Sequence, residues 1–317
     1  MTIEFCFAQK VEFAGRLVDK VTREPISYAS IYMKNRNIGI TTRENGYFRI
    51  MIEKDLLKEK VMLSCLNYRD TILIAAELNN KTTTLTSKRI LLPEISLNKG
   101  LKKLTLGSSK GVIKESILSP KKGVLLYAQF IKNPRKNKDC VYINVLTVSF
   151  GKRYSGQKIR IRFFNKNKKN GSPYEDLLFK SLILELNKNQ SKYILDLSDY
   201  DLLMPESGIF VVFEKLFLPE NNLFKADKER SNYPTYLSQY KSKKDSLGLF
   251  YKDDSMDFLT YSEEEAYYGP GIAFTKRKFR HKDLGEILFF MGGKWVKPQW
   301  LNKNEKFVFP LKIGLTD

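Results

Sequence analysis

The chain has 317 residues, of which 42% are hydrophobic, and a formal net charge of +20. This length predicts about two domains of ~150 residues, each able to bury a core. The basic balance suits an anionic partner such as nucleic acid, lipopolysaccharide or acidic glycan, but scattered lysines are equally typical of a solvated surface. Three cysteines exclude a disulfide framework. The sequence also has no run of the ~18 apolar residues that a membrane helix requires.

The first residues are similar to the end of a secretory signal. Cys6 and Ala8 are small residues at the −3 and −1 positions if cleavage follows Ala8. Glu4 interrupts a short apolar stretch, so a working signal requires residues upstream of Met1. We therefore predict a truncated signal and a secreted, periplasmic or outer-membrane-associated protein.

The first third of the chain predicts a small antiparallel β-sandwich. Short apolar runs alternate with turn residues, and Asn45-Gly46 predicts a hairpin because both central residues of such a turn need a positive φ. The residues 56–58 and 75–78 each favour a single helical turn. Seven strands are predicted at 11–18, 27–33, 38–42, 47–52, 61–66, 71–75 and 90–97, the number expected of an immunoglobulin-type sandwich.

Several short motifs lie along this region, namely Gly15-Arg16-Leu17-Val18-Asp19, Pro25-Ile26, Ala29-Ser30-Ile31, Gly39-Ile40-Thr41-Thr42 and Asn45-Gly46-Tyr47-Phe48. With these motifs, about residues 10–98 resemble a known family, the carboxypeptidase regulatory-like domain. The resemblance implies a transthyretin-like or immunoglobulin-like sandwich that is a non-catalytic attachment. Asn67-Tyr68 stands where the family usually has Gly-Tyr.

A basic linker is predicted at 99–122, where small and basic residues prevail and apolar periodicity is weak. A second β-sandwich is predicted over 123–317. Its run 208–214 is continuously apolar, which predicts a central strand buried on both faces. After Pro173 either a helix or a turn and a strand at 181–186 is possible, and the neighbouring strands favour the second. Other strands are predicted at 141–148, 158–163, 193–197, 272–274, 286–291 and 306–315, with an insertion loop at 221–254.

The second region carries a resemblance of its own. It is similar to the jelly-roll-like C-terminal region that accompanies the first domain in cell-surface proteins of Gram-negative bacteria, and this implies architecture only. The matching residues are Arg160-Ile161-Arg162-Phe163, Asp176-Leu177-Leu178, Asp196-Leu197-Ser198-Asp199-Tyr200, Met204-Pro205 and Gly208-Ile209-Phe210-Val211.

Catalytic chemistry has little support in the residue types. His281 is the only histidine, so a zinc peptidase site, which needs several histidine and carboxylate ligands, is excluded. A Ser-His-Asp triad would need the same histidine among cationic neighbours, and the nucleophile elbow motif is absent. No phosphate loop or dinucleotide fingerprint occurs. We predict no catalytic, cofactor-binding or metal-binding residues and no cofactor.

The carboxylates and the cysteines each allow more than one interpretation. Asp253, Asp254 and Asp257 with the run 263–265 form the densest acidic group, which suits a solvated loop, a calcium site or the paired carboxylates of a glycosidase. Cys65 lies in an apolar run and is expected to be buried. A bridge between Cys65 and Cys140 is the alternative.

Aromatic and basic residues provide the binding hypotheses. Rings on a sandwich either pack in a core or contact sugars and proteins. Two basic runs, 132–138 and 162–169, either are solvated loop tips or contact phosphates. The aromatic residues concerned lie in the last third of the chain, in the run 233–240 and at Tyr261, Tyr267, Tyr268, Trp295 and Trp300.

The sequence as a whole predicts an all-β, non-catalytic, secreted or envelope-associated protein that binds a protein or glycan at the cell surface. The alternatives are a carbohydrate-active enzyme with paired carboxylates and an anion- or nucleic-acid-binding protein. The ligand, the oligomeric state and the binding residues stay unassigned at this stage.

Overall fold

The computed structural model describes residues 9–33, 38–88, 103–109, 115–120, 126–134, 141–151, 153, 155–221, 267–276, 282–291, 293–297 and 307–317. The chain divides into two compact units. Unit 1 contains residues 1–91 together with Leu216–Leu218, and unit 2 contains residues 92–215 and 219–317.

Seven strands are described in unit 1, and they form two sheets. Three strands lie in the order β4-β1-β7, and four lie in the order β3-β2-β5-β6. One short helix, α1 (Ala75–Leu78), and a 3-10 turn at Lys54–Lys58 occupy two of the connections. The strands are β1 (Lys10–Asp19), β2 (Ser30–Met33), β3 (Ile38–Thr41), β4 (Tyr47–Glu53), β5 (Lys60–Ser64), β6 (Thr71–Ile74) and β7 (Lys81–Leu85).

The core of unit 1 follows from the alternation along its strands. In β4, Phe48 and Ile52 are buried while Tyr47 and Met51 are exposed, because successive side chains point to opposite faces. Phe13 of β1 packs against Phe48 with ring centroids 5.1 Å apart. Buried side chains of both sheets belong to one apolar cluster, so unit 1 is a β-sandwich.

The hairpin prediction at Asn45-Gly46 is wrong. Strand β3 pairs with β2 and strand β4 pairs with β1, so the turn between β3 and β4 connects the two sheets. Gly46 has φ +76°, and its amide donates to the Arg43 carbonyl at 3.0 Å. A Cβ at this position would lie 2.4 Å from the Leu17 carbonyl oxygen. The glycine therefore serves a turn that approaches β1 closely.

Six of the seven predicted strands of the first domain coincide with β1 to β6, and the two predicted helical turns are confirmed. The predicted strand at 90–97 lies outside the described residues. Strand β7 was not predicted, because Lys81-Thr82-Thr83-Thr84 has little apolar content. It pairs in parallel with β1.

Fourteen strands are described in unit 2. They are β8 (Lys103–Ser108), β9 (Glu115–Pro120), β10 (Leu126–Ile131), β11 (Tyr142–Ser149), β12 (Lys158–Lys166), β13 (Pro173–Asp176), β14 (Leu182–Glu185), β15 (Lys192–Asp196), β16 (Ile209–Lys215), β17 (Tyr267–Lys276), β18 (Leu284–Met291), β19 (Lys294–Val296), β20 (Phe307–Val308) and β21 (Leu311–Thr316). Short 3-10 turns lie at Ser198–Tyr200 and Pro219–Asn221.

These strands form a seven-stranded sheet and two smaller ones. The large sheet has the order β13-β12-β16-β10-β18-β19, with β14 also paired to β12. The smaller sheets have the orders β15-β11-β21-β8 and β20-β17-β9. Phe213 of β16 contacts Phe150, which follows β11, and Phe309, which precedes β21, at centroid distances of 5.9 and 5.8 Å. These rings form a core between the large sheet and the β11–β21 sheet.

Part of the predicted linker at 99–122 is strand. Strand β8 pairs with β21, and β9 pairs with β17, so both belong to the sheets of unit 2. The physical reason is the alternation Leu104-Thr105-Leu106, which places Leu106 in the core at 2% exposure. The neighbouring glycines and lysines obscure that short pattern.

The all-β fold class is confirmed. The only α-helix in the described part of the chain is the single turn α1. Strand β16 is central in its sheet and buried at every residue, as predicted. Strand β14 also confirms the preference for a strand after Pro173. No described helix has the length and apolar character to span a membrane.

Candidate functional site

The seven-stranded sheet places chemically distinct side chains in rows on the face opposite the core that it forms with the β11–β21 sheet. This face also carries a buried apolar cluster of its own. Residues that pair directly across neighbouring strands share a face. One row therefore runs Arg160, Glu214, Leu126, Phe290 and Trp295 across five strands. The row is ionic at β12 and β16 and aromatic at β18 and β19.

The ionic end of this row is a buried network, the arginine network, formed by Arg160, Arg162, Asp176 and Glu214. One Glu214 oxygen accepts from Nη1 of Arg160 at 3.1 Å and from Nη1 of Arg162 at 3.2 Å. Nε of Arg162 donates to Asp176 at 2.7 Å. The side chains of Arg160 and Glu214 are only 2% and 6% exposed. Two guanidinium groups thus balance two carboxylates away from solvent.

The balance of charge shows in the pKa of Arg162. Burial alone would lower this pKa, because it penalises the charged guanidinium. Glu214 and Asp176 outweigh that effect and raise the pKa of Arg162 above its ordinary value. Arg162 is therefore a permanent cation here, and its plane also lies over the Phe164 ring at 4.8 Å.

The arginine network fixes both ends of the loop that joins β13 to β14. At the start of the loop, Asp176 binds Arg162 and also accepts from the Leu178 amide at 3.1 Å. At its end, the Ser181 hydroxyl accepts from Nε of Arg160 at 3.2 Å. The Leu177 amide donates to the Phe163 carbonyl at 2.7 Å. These anchors hold a short loop against β12.

Phe179 and Lys180 of this loop, together with Tyr200 of the 3-10 turn Ser198–Tyr200, form a group that we call the aromatic platform. The half-buried rings of Phe179 and Tyr200 have centroids 6.2 Å apart and planes inclined at 46°. Nζ of the exposed Lys180 lies 4.5 Å from the Tyr200 centroid and 5.7 Å from that of Phe179. Burial and the adjacent Asp199 raise the pKa of Tyr200, so its hydroxyl stays protonated. The platform combines ring faces, an ammonium donor and a carboxylate acceptor, which is the equipment for binding a polar ring such as a sugar.

A second aromatic group lies on the same sheet face as the arginine network. Phe130, Phe164 and Phe210 form a cross-strand row and are buried. Trp295 is only half-buried and stacks edge-on against Phe290 at 5.3 Å. Trp295 is thus a ring with a solvent-accessible part, as one of the two sequence hypotheses for the tryptophans requires.

Most of the other candidate site residues predicted from the sequence lie outside the described residues. His281, Asp253, Asp254, Asp257, Tyr261 and Trp300 lie outside the described residues, as do the runs 233–240 and 263–265. For Tyr267 and Tyr268 the backbone of β17 is described. Cys140 is also outside the described part, whereas the Cys65 thiol lies 3.9 Å from the Ser27 carbonyl oxygen as a weak donor. Cys65 has a thiol side chain and is only half-buried, so neither the Cys65–Cys140 bridge nor the expected full burial of Cys65 is found.

The described residues contain no group of three histidine, cysteine or carboxylate side chains placed to hold a metal ion. The closest counterpart of paired catalytic carboxylates is Asp176 with Glu214. Both are buried acceptors of arginine hydrogen bonds. A glycosidase pair must instead reach the bond between two sugars. This geometry supports a structural role for the two carboxylates.

The sequence did not single out Phe179, Lys180 and Tyr200 as candidate binding residues. Phe179 and Lys180 lie beside a predicted strand, and Tyr200 is separated from them by β14 and β15. A usable signal existed in the second resemblance. Arg160, Arg162, Asp176 and Tyr200 all belong to its matching residues, and the first three of these belong to the arginine network.

Comparison with known proteins adds little. No family model matches the chain, and no curated protein matches it. A solved structure from Bacteroides uniformis, described as a candidate carbohydrate binding protein, aligns over 63% of this chain and 87% of its own at 13% identity. The TM-score is 0.18, and a similarity of that degree carries no argument about fold or function.

Proposed function

We propose that this chain is a non-catalytic β-sandwich protein of the cell envelope that binds a glycan or a protein through the aromatic platform. The observation that carries the proposal is the anchoring of the platform loop by Arg160 and Arg162. A loop fixed before its ligand arrives loses less conformational entropy on binding. A partly exposed pair of rings beside Lys180 suits a sugar ring or a protein side chain.

Unit 1 has a supporting role in this proposal. Its resemblance to the carboxypeptidase regulatory-like domain favours a rigid spacer or docking unit without chemistry of its own. Its sandwich core is compatible with that role. The resemblance of the first residues to a signal sequence favours export, so the protein would act in the periplasm, at the outer membrane or outside the cell. Cell fractionation with N-terminal sequencing of the mature protein tests this, and an intact Met1 in the cytosol would contradict it.

The test of binding uses the full chain on a glycan array and in a pull-down from cell envelopes. We expect a discrete set of glycans or one envelope protein to be retained. The double variant Phe179→Ala/Tyr200→Ala should weaken the affinity for the retained ligand by roughly tenfold or more, because each stacking ring contributes about 1 kcal/mol or more. Tyr47→Ala, which removes an exposed ring of unit 1 outside the platform, is the control.

Two results would contradict the proposal. Equal losses of affinity in the platform variant and in the Tyr47 control would show that the platform is not the contact. Turnover of a glycan that disappears in Glu214→Gln or Asp176→Asn but survives in the platform variant would favour the alternative of a carbohydrate-active enzyme.

A further inference from the structure

The described lysines of the two basic runs lie at the same end of the seven-stranded sheet. Strands β10 and β12 both pair antiparallel with β16, so they run in the same direction and end on the same side. Lys132 directly follows β10, and Lys166 ends β12. One intervening strand separates the two ends by about 10 Å. We call Lys132, Lys166, Lys168 and Lys169 the basic end.

A direct contact connects Lys166 with β10, the strand that precedes the first run. Nζ of Lys166 lies 4.6 Å from the centroid of the Phe130 ring, which belongs to β10. That ring occupies space left by two glycines, since a Cβ on Gly208 or Gly285 would lie 2.7 or 2.8 Å from its atoms. The fold thus leaves room for Phe130 beneath the Lys166 ammonium, and the cation is held over a ring that attracts it.

The turn after β12 presents two further cations in a fixed conformation. The Asn167 side-chain oxygen accepts from the amide of Lys169 at 2.8 Å and from that of Asn170 at 3.4 Å. The Gly171 amide donates to the Asn167 carbonyl at 2.9 Å. Both Lys168 and Lys169 are exposed in this turn. An ordered turn with two adjacent lysines loses little freedom when it binds an anion.

The basic end is not neutralised internally. Within the part of the chain that the structure describes, none of its four lysines is paired with a carboxylate. Three carboxylates, those of Asp283, Glu206 and Glu175, lie on neighbouring elements, and the Glu175 carboxylate accepts from Asn165, the residue before Lys166. Lys168 and Lys169 are neighbours in the chain, whereas the two strand ends, about 10 Å apart, lie just beyond the Debye length of ~8 Å in physiological salt. The positive potential of the basic end is therefore centred on the exposed pair Lys168 and Lys169.

We infer that the basic end binds an anionic glycan, a chain that carries carboxylate or sulfate groups on successive sugars. Such a chain presents repeated charges that can contact the ends of β10 and β12 together. Pro173, which pairs with Lys166, is followed by Tyr174, whose ring is 60% exposed and can stack on a sugar. This site is distinct from the aromatic platform and does not depend on it.

The test measures binding of the full chain to polygalacturonate and to chondroitin sulfate, with dextran as the neutral glycan. Lys168→Gln/Lys169→Gln removes two exposed charges without touching the core. Lys188→Gln/Lys192→Gln is the control with the same change of net charge, since Lys188 is exposed in the turn before β15 and Lys192 is exposed at its first residue. Salt is varied from about 50 to 200 mM, a range over which charge-driven binding weakens strongly.

We expect at least one acidic glycan to bind and dextran not to bind, and the responding probe distinguishes carboxylate from sulfate. Lys168→Gln/Lys169→Gln should weaken binding roughly tenfold at low salt and reduce the slope of log affinity against log salt by about 2. The control variant should change affinity less than twofold.

Three outcomes would overturn the inference. Absence of binding to both acidic glycans is the first. Equal losses in the two lysine variants would show that net charge alone is responsible. Tighter binding of duplex DNA, polyglutamate or anionic lipid vesicles would assign the basic end to another class of partner.

Discussion

At the residue scale, unit 1 contains a polar contact between two residues that carry its family resemblance. The Asp19 carboxylate accepts from the amides of Val21 and Thr22 at 2.6 and 2.9 Å, and it also accepts from the Tyr68 hydroxyl. The amides of Thr22 and Val21 lower the pKa of Asp19. Burial, followed by the Asp19 hydrogen bond, raises the pKa of Tyr68 to about 12.

This contact predicts an alkaline loss of stability. The unfolded chain releases the Tyr68 proton near the ordinary pKa of 10.0, whereas the folded protein keeps it to about 12. Above pH 10 the unfolded state therefore binds fewer protons, and stability falls as pH rises towards 12. Tyr68→Phe should remove this part of the decline in urea unfolding. Tyr47→Phe, at a half-exposed ring, is the control, and a parallel decline in wild type and Tyr68→Phe would contradict the assignment.

In unit 2, Lys215 is a second residue whose shifted pKa makes stability depend on pH. It ends β16 on the core side, is 2% exposed, and its Nζ lies 5.3 Å from the Tyr127 ring centroid. Burial lowers the pKa of Lys215 well below the ordinary value of 10.5. The unfolded state thus binds more protons between the folded pKa and 10.5, so stability rises with pH through that window.

Replacing Lys215 should therefore flatten the dependence of stability on pH. We expect Lys215→Met to lose a positive slope of up to about 1.4 kcal/mol per pH unit below pH 10. Urea unfolding at a series of pH values measures this slope. Lys192→Met is the control at an exposed lysine. An unchanged slope in Lys215→Met would mean that the amine is charged in the folded protein.

Some residue-scale features were accessible from the sequence. Asn67 stands where the carboxypeptidase regulatory-like domain, which this region resembles, usually has glycine. Asn67 adopts φ +69°. Asparagine is the residue that best replaces glycine in this left-handed region, so the departure preserves the backbone conformation. The partners of Arg160 and Arg162 were not accessible, because they are set by the register between β12 and β16, 52 to 54 positions apart in the chain.

At the element scale, β12 shows how one alternating strand serves two environments. Ile159, Ile161 and Phe163 face the core, and Arg160 and Arg162 point to the opposite face. The sequence predicted one apolar and one basic face. The basic face is nevertheless buried, because Glu214 and Asp176 neutralise it. Alternation reveals the two faces of a strand but not whether the polar face is solvated.

Removing one member of the arginine network should be costly. Glu214→Gln leaves Arg160 without its carboxylate, and breaking a buried ion pair costs about 3–5 kcal/mol of unfolding free energy. Glu185→Gln is a matched control, since this more exposed glutamate also pairs across β12, with Lys158 at 3.9 Å. It should cost less than about 1 kcal/mol. If urea unfolding shows a similar loss of unfolding free energy in both variants, the buried ion pair of Glu214 is no more stabilising than the exposed pair of Glu185.

The errors among the predicted elements have a common cause. Asn45-Gly46 satisfied the local rule for a hairpin, but the partners of β3 and β4 are distant in sequence. Strands β7, β8 and β9 have weak local patterns and are held by pairing with β1, β21 and β17. Strand β16, which is apolar throughout, needed no such context. Non-local pairing is the information that a single sequence lacks.

At the scale of the whole molecule, unit 1 is discontinuous in sequence. Its compact body includes Leu216–Leu218 in addition to residues 1–91. The Phe217 amide donates to the Thr41 hydroxyl at 2.9 Å, and its ring lies 3.0 Å from where a Cβ on Gly39 would be. Phe217 is only 8% exposed. No local pattern in the sequence connects residue 217 with β3.

Phe217 should therefore contribute to the stability of unit 1. We expect Phe217→Ala to cost about 3–5 kcal/mol, because it removes a buried ring and leaves a cavity. Hydrogen exchange of the amides in β2 and β3 should become faster. Phe179→Ala, at a half-buried ring of unit 2, should leave these amides unchanged. If the β3 amides stay as protected from hydrogen exchange in Phe217→Ala as in the wild type, residues 216–218 do not stabilise unit 1.

The discontinuity of unit 1 also bears on how the protein is made. A ribosome adds ~5–20 residues per second, so the codons between residues 91 and 216 take roughly ten seconds to read. During that interval the nascent amino-terminal body lacks the phenylalanine that covers Gly39. Its last packing step must wait for translation of most of the chain, and a chaperone that shields the uncovered strand would act in this interval.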